Sequence, residues 1–259
     1  MLKSFYSSAT GMRAQELLID NTANNLANVN TTGFKKKHIN FADLIYETKN
    51  PPGADSTDGL ITPIGLQIGS GVRAVGSTGI FTQGTPTETG IDSHVAIEGS
   101  GFFQVQRGDT TGFTRDGSFT TNAQGQLVNS DGFLLDPQIT IPIDATDLSI
   151  SSGGVVSYRQ NGVGVTGTTI QVARFANPAG LQSLGNNLYA ETRASGVATL
   201  GDPGDDGFGQ LRQRFIEGSN VEVVSEMVAL ITAQRAYEIN SRAIRAGDEM
   251  LSSAADIVR

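Results

Sequence analysis

The chain has 259 residues, enough for one large or two modest domains, and its 32 glycines with only 17% charged residues suit a turn-rich β protein. Eighteen basic against 26 acidic residues leave a net charge of −8, and residues 50–210 alone hold fifteen acids and six bases, the wrong sign for a nucleic-acid partner. There is no cysteine, which excludes disulfides, thiolate chemistry and cysteine-based zinc sites.

At the N-terminus Leu2, Phe5, Ala9, Met12, Glu16, Ile19, Ala23 and Leu26 recur in steps of three and four. A 3.5-residue period is the seam of a heptad helix that faces a partner helix. The segment has no continuous apolar block, so a cleaved secretory signal is not expected, and no stretch approaches the ~20 apolar residues of a membrane span. The helix is expected to stop within 23–37, ANNLANVNTTGFKKK. Asn24 and Asn25 lead into this turn, Asn28 and Asn30 tolerate left-handed backbone, Gly33 adopts it at no steric cost, and Phe34 follows as an apolar anchor. Lys35, Lys36 and Lys37 read first as a solvated run near a helix C-terminus, where cations are favoured; contact with an acidic neighbour is the alternative.

Phe41, Leu44, Ile45 and Tyr46 form a short apolar patch, and 49–63 is a loop rich in Pro, Gly, Asp and Ser. Asp55 and Asp58 lack the rest of a calcium loop. Residues 65–75 alternate enough for a strand. From 95 to 192, short β-prone runs are separated by turn signals at Asp116-Gly117, Gln124-Gly125, Asp131-Gly132, Gly153-Gly154, Asn161-Gly162 and Asn177-Pro178. That spacing predicts an antiparallel β domain. A second loop, 194–209, leads back to a long helix over 220–258. Its seam reads Val223, Met227, Leu230, Gln234, Tyr237, Ser241, Ile244, Asp248, Leu251, Ala255 and Val258, with Ser219 or Asn220 as the cap.

The expected fold is therefore α+β. Terminal heptad helices, 1–37 and 215–259, pack as a coiled-coil module. An extended linker with some β structure (38–90), an antiparallel β-rich domain (91–195) and a return linker (196–214) lie between them. No catalytic constellation emerges. His38 and His94 have no metal-ligand spacing, Gly99-Ser100-Gly101 lacks the rest of a dinucleotide loop, and no phosphate loop or nucleophile elbow is present. Neither enzymatic activity nor a cofactor or metal is expected.

The segments NNLANVNTTGFKK (24–36), VAIEGSGFFQV (95–105), FTRDGSF (113–119), GQLVNSDGFLL (125–135), LQSLGNNLYAET (181–192) and SNVEVVSEMVALITAQRAYEINSRAI (219–244) resemble motifs of the bacterial flagellar rod and hook axial proteins. Within that family the length and the segment 46–75 look most like a distal rod member, with proximal rod and hook members as the alternatives. A secreted binding module oligomerised by its terminal helices is the reading outside the family. The resemblance implies a structural subunit that leaves the cytoplasm through the flagellar type III export apparatus without a cleaved signal. It would polymerise with itself into a helical tube in the basal body, from periplasm to outer membrane. The implied partners are other rod proteins proximally, the hook protein distally, and the P-ring and L-ring as a bushing. On this reading Leu2, Phe5, Ala9, Met12, Ile19, Ala23, Leu26, Val223, Met227, Leu230, Tyr237, Ile244 and Leu251 form the assembly seam. Asn24, Asn25, Asn28, Gly33 and Phe34 form the family's turn.

Overall fold

A computed structural model of the chain describes residues 2–51, 53, 64–108 and 110–257. Most of the predicted loop 49–63, with Asp55 and Asp58, lies outside the described residues. The chain folds as two units. A helical unit comprises Met1–Leu26, Lys37–Thr78 and Val223–Arg259; a β unit comprises Ala27–Lys36 and Gly79–Glu222.

In the helical unit, α1 (Leu2–Ala27) and α2 (Val223–Ile257) are accompanied by two small ladders. Strand β1 (Lys37–Asp43) and β2 (Tyr46–Asn50) precede β3 (Leu66–Gly69) and β4 (Val72–Gly79). Strand β1 pairs with β4, and β2 pairs antiparallel with β3, Tyr46 opposite Gly69. Residues 37–50 and 66–78 thus contribute the strands of these two ladders. They are fastened to α1 at three places. The Asn25 amide donates to the Lys37 carbonyl at 3.0 Å and accepts from the Lys37 N–H at 3.0 Å, imitating a strand neighbour. Asn21 adds a bond to the same carbonyl at 2.8 Å. Gly71, at φ +117°, lies so close to α1 that a Cβ there would fall 2.2 Å from the Thr10 hydroxyl.

The β unit is built on antiparallel pairing. Its strands are β5 (Pro86–Glu88), β6 (Val95–Glu98), β7 (Phe102–Arg107), β8 (Thr110–Thr114), β9 (Thr120–Thr121), β10 (Leu127–Val128), β11 (Leu134–Asp136), β12 (Ala145–Ile150), β13 (Val155–Gln160), β14 (Val163–Thr169), β15 (Val172–Arg174), β16 (Gln182–Gly185), β17 (Leu188–Ala190), β18 (Thr199–Gly201), β19 (Gln210–Gln213) and β20 (Phe215–Glu217). Strand β7 is central, bonded to β8, β11 and β15. Successive strand residues face opposite sides, so the Phe102-Phe103 pair feeds two cores. Phe103 and Val105 join Val95, Ile97, Phe119, Leu135 and Val172 in one. Phe102 joins Phe113, Phe175 and Tyr189 in the other, its ring meeting Phe175 and Tyr189 edge to face. Asn161 and Gly162, both at positive φ, make the two-residue turn that sets Gln160 opposite Val163 in the β13–β14 hairpin. The stretch 196–214, expected as a linker, instead supplies β18 and β19, which pair with β15 and β6. Segments 27–36 and 215–222, expected in the helical module, belong to the β unit.

These segments meet at a buried ion cluster. Lys35, read first as part of a solvated run with an acidic neighbour as the alternative, is 1% exposed, and its ammonium lies 2.5 Å from Glu217 Oε1, which is the alternative. Arg115 Nη1 donates to Glu217 Oε2 at 3.1 Å. The Gly84 N–H donates to Glu217 Oε1 at 2.8 Å, and the Gly33 N–H donates to the Glu217 carbonyl at 2.8 Å. Other cation donors go to backbone carbonyls, Lys35 to Thr82 and Arg115 to Gly99 and Ile97, while the buried Nε of Arg115 has no hydrogen-bond partner. Burial is the larger influence on both cations and lowers their pKa values, while Glu217 works in the opposite sense. Burial, and then Glu217, pushes the Tyr189 phenol up to about 12. Replacing one member of a buried pair strands the other charge, at about 3–5 kcal/mol. Glu217→Gln is therefore expected to destabilise the β unit by that order at pH 7. In the variant the Lys35 pKa falls further below 10.5, because its carboxylate is gone. Between that lowered value and 10.5 the unfolded chain binds more protons than the folded one, so stability rises with pH across this window. Urea midpoints from pH 7 to 10 check it: the deficit of Glu217→Gln against wild type should narrow as pH rises.

Candidate assembly surface

Helices α1 and α2 pair antiparallel. The Asn25 amide donates to Glu226 Oε2 at 3.2 Å. A Cβ added to Gly11 would lie 3.1 Å from the Asn240 amide nitrogen, and one added to Gly247 would lie 2.7 Å from the Phe5 ring. Facing residue numbers therefore sum to 251 or 252 along the pair. That register sets Thr22 opposite Ala229, Leu18 opposite Ala233 and Gln15 opposite Ala236. Thr22, Asn25 and Ala233 are buried, and Ser8, Gly11, Gln15, Leu18, Ala229, Ala236 and Asn240 are half-buried. The intrachain seam is thus Ser8, Gly11, Gln15, Leu18, Thr22 and Asn25 against Glu226, Ala229, Ala233, Ala236, Asn240 and Gly247.

This seam has the predicted period but runs one residue earlier on both helices. The sequence reading followed the large apolar side chains; the helices meet through small and amide-bearing ones. Glycine and alanine let two helix backbones approach, and the bulky residues are turned to the flank. Val223, Met227, Tyr237 and Leu251 are 40, 49, 41 and 38% exposed. Ala9 and Ala23 are exposed as well, and Met12, Ile19, Leu26, Leu230 and Ile244 are half-buried. Phe5 packs at Gly247, and Leu2 opens α1. Of the polar seam positions, Glu16, Gln234 and Asp248 are exposed and Ser241 is half-buried. A second exposed row, Val224, Val228 and Ile231, runs along α2 at 70, 58 and 46% exposure. Three to four residues apart, these three share one face.

The turn residues divide. Asn24 is exposed on α1, and Asn25 is the bidentate fastener described above. Helix α1 ends as the Thr31 N–H bonds the Asn28 carbonyl at 3.2 Å and the two side chains meet at 3.1 Å. Gly33, at φ +67°, packs so tightly that a Cβ would fall 2.6 Å from the Asp116 nitrogen; glycine is required here by both conformation and space. The Phe34 carbonyl accepts from the Asn220 N–H at 3.4 Å. Of the two candidate caps, Ser219 Oγ accepts from the Val221 N–H at 3.3 Å, and the Asn220 side chain is turned elsewhere. Its Oδ1 accepts from the Lys36 N–H at 2.8 Å, and its amide donates to the Ile80 carbonyl at 2.7 Å and to Thr82. Sequence reasoning missed Glu217, Arg115 and Asn220 as organisers, because their partners are far away in the chain. Among the described residues no group of three His, Asp or Glu could hold a metal ion, and no described helix is long and apolar enough to cross a membrane.

A helix pair this close does not tolerate bulk. Ala233→Leu inserts three carbons where a side chain is 1% exposed, at about 1–3 kcal/mol of overpacking. Val224→Leu, on the exposed row, should change stability by no more than about 0.5 kcal/mol. Urea unfolding of the free chain followed by helical circular dichroism checks both.

Comparison with known proteins gives the same picture over the full length. Residues 5–35 match the family model for the flagella basal body rod protein, residues 96–158 that for the flagellar hook protein FlgE/F/G D1 domain, and residues 212–257 that for the flagellar basal body rod FlgEFG protein C-terminal region. The chain is 46% identical to the flagellar basal-body rod protein FlgG of Caulobacter vibrioides, covering 99% of both chains. It is 43% identical to the FlgG protein of Borreliella burgdorferi over 100% of both. It is 36% identical to that of Bacillus subtilis, again over 100% of both. With its terminal heptad helices, inserted antiparallel β unit and full-length match to these proteins, the chain belongs to the flagellar basal-body rod protein family.

Proposed function

We propose that this chain is a non-enzymatic structural subunit of the flagellar distal rod. It polymerises with itself into a helical tube that surrounds the export channel and carries motor torque to the hook. It reaches the periplasm through the type III export apparatus, meets other rod proteins proximally and the hook protein distally, and turns within the P-ring and L-ring. The observation that supports this most directly is the division of labour on the helix pair. Small residues close the seam inside one chain, while Val223, Met227, Tyr237 and Leu251 stay on the flank. A monomer gains nothing from exposed rows of this kind; they suit contact with further copies.

The test is Met227→Asp. Met227 is half-exposed in the single chain, so stability of the free chain should move by no more than about 0.5 kcal/mol. In a polymer the same change forfeits about 1.5–3 kcal/mol of burial per copy and adds an unpaired charge to a dry contact, at several kcal/mol more. The variant is expected to be exported and folded yet to leave cells without rods and without swimming, whereas Glu249→Gln should assemble normally. Electron microscopy of isolated basal bodies reads the result. Rods built from Met227→Asp at wild-type frequency would remove the flank from the assembly surface. A discrete soluble oligomer in place of rods would favour the binding-module reading.

A further inference from the structure

The helical unit also holds a groove of about 400 Å³ whose use is not explained by the intrachain seam. One wall is a face of α1 carrying Tyr6, Thr10, Arg13 and Leu17; the other is formed by Leu44 and by Val72 to Ala74 of β4. The two walls are fixed to each other. The Leu44 N–H bonds the Gly71 carbonyl at 2.9 Å, and the Val72 N–H reaches the Thr10 hydroxyl at 3.4 Å. The groove is apolar with a positive rim. Tyr6 and Leu17 are 59 and 39% exposed. Arg13 and Arg73 line it, no carboxylate does, and neither arginine forms an ion pair among the described residues.

The chain itself presents the complementary shape. On the flank of α2, Asp248 is an exposed carboxylate set between Ile244 and Leu251, and it too has no ion-pair partner among the described residues. An apolar ridge with one negative charge at its centre matches an apolar groove with two positive charges. The spacing matches as well. Thr10, Arg13 and Leu17 step three then four along α1; Ile244, Asp248 and Leu251 step four then three along α2. An antiparallel pair brings all three into register at once, with Asp248 at Arg13, Leu251 at Thr10 and Ile244 at Leu17. Copies in a helical polymer share one polarity, so a neighbour's α2 runs antiparallel to this α1, as the chain's own α2 does.

We propose that this groove receives the α2 ridge of a second copy, with Asp248 seated between Arg13 and Arg73. The contact deepens the rod reading and rests on it. It is separate from the chain's own helix pairing, in which Arg13 falls opposite Glu238, ten residues from Asp248 and about 15 Å away along the helix.

The test uses the full chain in cells that lack their own rod protein. Reversing the groove (Arg13→Glu with Arg73→Glu) or the ridge (Asp248→Arg) should each cut assembled rods at least about tenfold, because like charges at an interface oppose docking. Circular dichroism should show unchanged helix in each soluble variant. Combining all three reversals should restore assembly. A direct contact reading comes from Arg13→Cys with Asp248→Cys, since the chain has no other cysteine. In assembled rods a short thiol-specific cross-linker should give a ladder of multimers, which a bond within one chain does not produce. Rescue by the triple reversal together with the ladder carries the proposal; failure of either overturns it. Rods that form normally from the single-sided reversals also overturn it while leaving the rod reading intact. If the wild-type chain builds no rods in that strain, the rod reading itself fails.

Discussion

The carboxylate of Glu217, shut between Lys35 and Arg115, is the constraint on which the β unit's chain path depends. Three stretches far apart in sequence, 33–36, 82–84 and 217–220, lie side by side there, and each gives the cluster a donor or an acceptor. Buried ion pairs seldom add net stability over apolar packing, because desolvation consumes most of the Coulomb attraction. Their contribution is selectivity. Moving any of these stretches by one residue would leave a charge without a partner, and that penalty is large. The cluster holds two cations over one carboxylate, and the carbonyls of Thr82, Ile97 and Gly99 take up cation donors that Glu217 does not satisfy. Asn220 completes the arrangement by bonding to Lys36, Ile80 and Thr82 at once. Gly33 is dictated by the same crowding, since any side chain there would meet the backbone of Arg115 and Asp116.

The helical unit follows a different logic. Its intrachain seam is made of Gly, Ala, Ser, Thr, Asn and Gln with Leu18 and Glu226, so the pair closes tightly yet buries little apolar area per residue. The residues with most to gain from burial lie on the outside of α2. Hydrophobic gain scales with the area removed from water, so much of what α2 has to offer is left unused within the single chain. The β unit is the reverse case: Val95, Phe103, Val105, Phe119, Val156, Ile170 and Val172 are wholly inside. One chain thus pairs a self-sufficient β core with helices that are only part satisfied.

That contrast also explains what could be read in the sequence. The heptad period at both ends was legible because it is a local property of spacing, and so were the antiparallel domain and turns such as Asn161-Gly162. The phase of the seam was not. Leu230, Gln234 and Tyr237 continue the apolar-led period, but Ala229, Ala233 and Ala236, each one position earlier, allow the closer approach. Hydrophobicity reports which side chains prefer burial and does not say whether the partner belongs to the same chain. The solvated reading of Lys35 fails for a related reason, and its alternative, an acidic neighbour, is the one found. Three consecutive lysines look solvated, and nothing near them in sequence announces Glu217, 182 positions away. The strands in 196–214 were hidden by a run of Gly, Asp and Pro that belongs to the turns between them.

On the proposed rod reading, the placement of surfaces on the helical unit favours a filament over a closed pair. An isologous dimer needs one patch that matches itself; an open helical assembly needs two different patches that match each other. The groove walled by α1 and β4 is concave, apolar and cationic, whereas the flank of α2 is convex and apolar with a carboxylate at Asp248. Neither is self-complementary in charge: groove against groove opposes arginines, and ridge against ridge opposes aspartates. Like charges at a contact disfavour both symmetric pairings. The proposed contact is instead head to tail, so that each docked copy would present a fresh groove and a fresh ridge to the next. The off-by-one seam is what makes this possible. Had α1 and α2 closed on their large apolar residues, the chain would have spent its ridge internally.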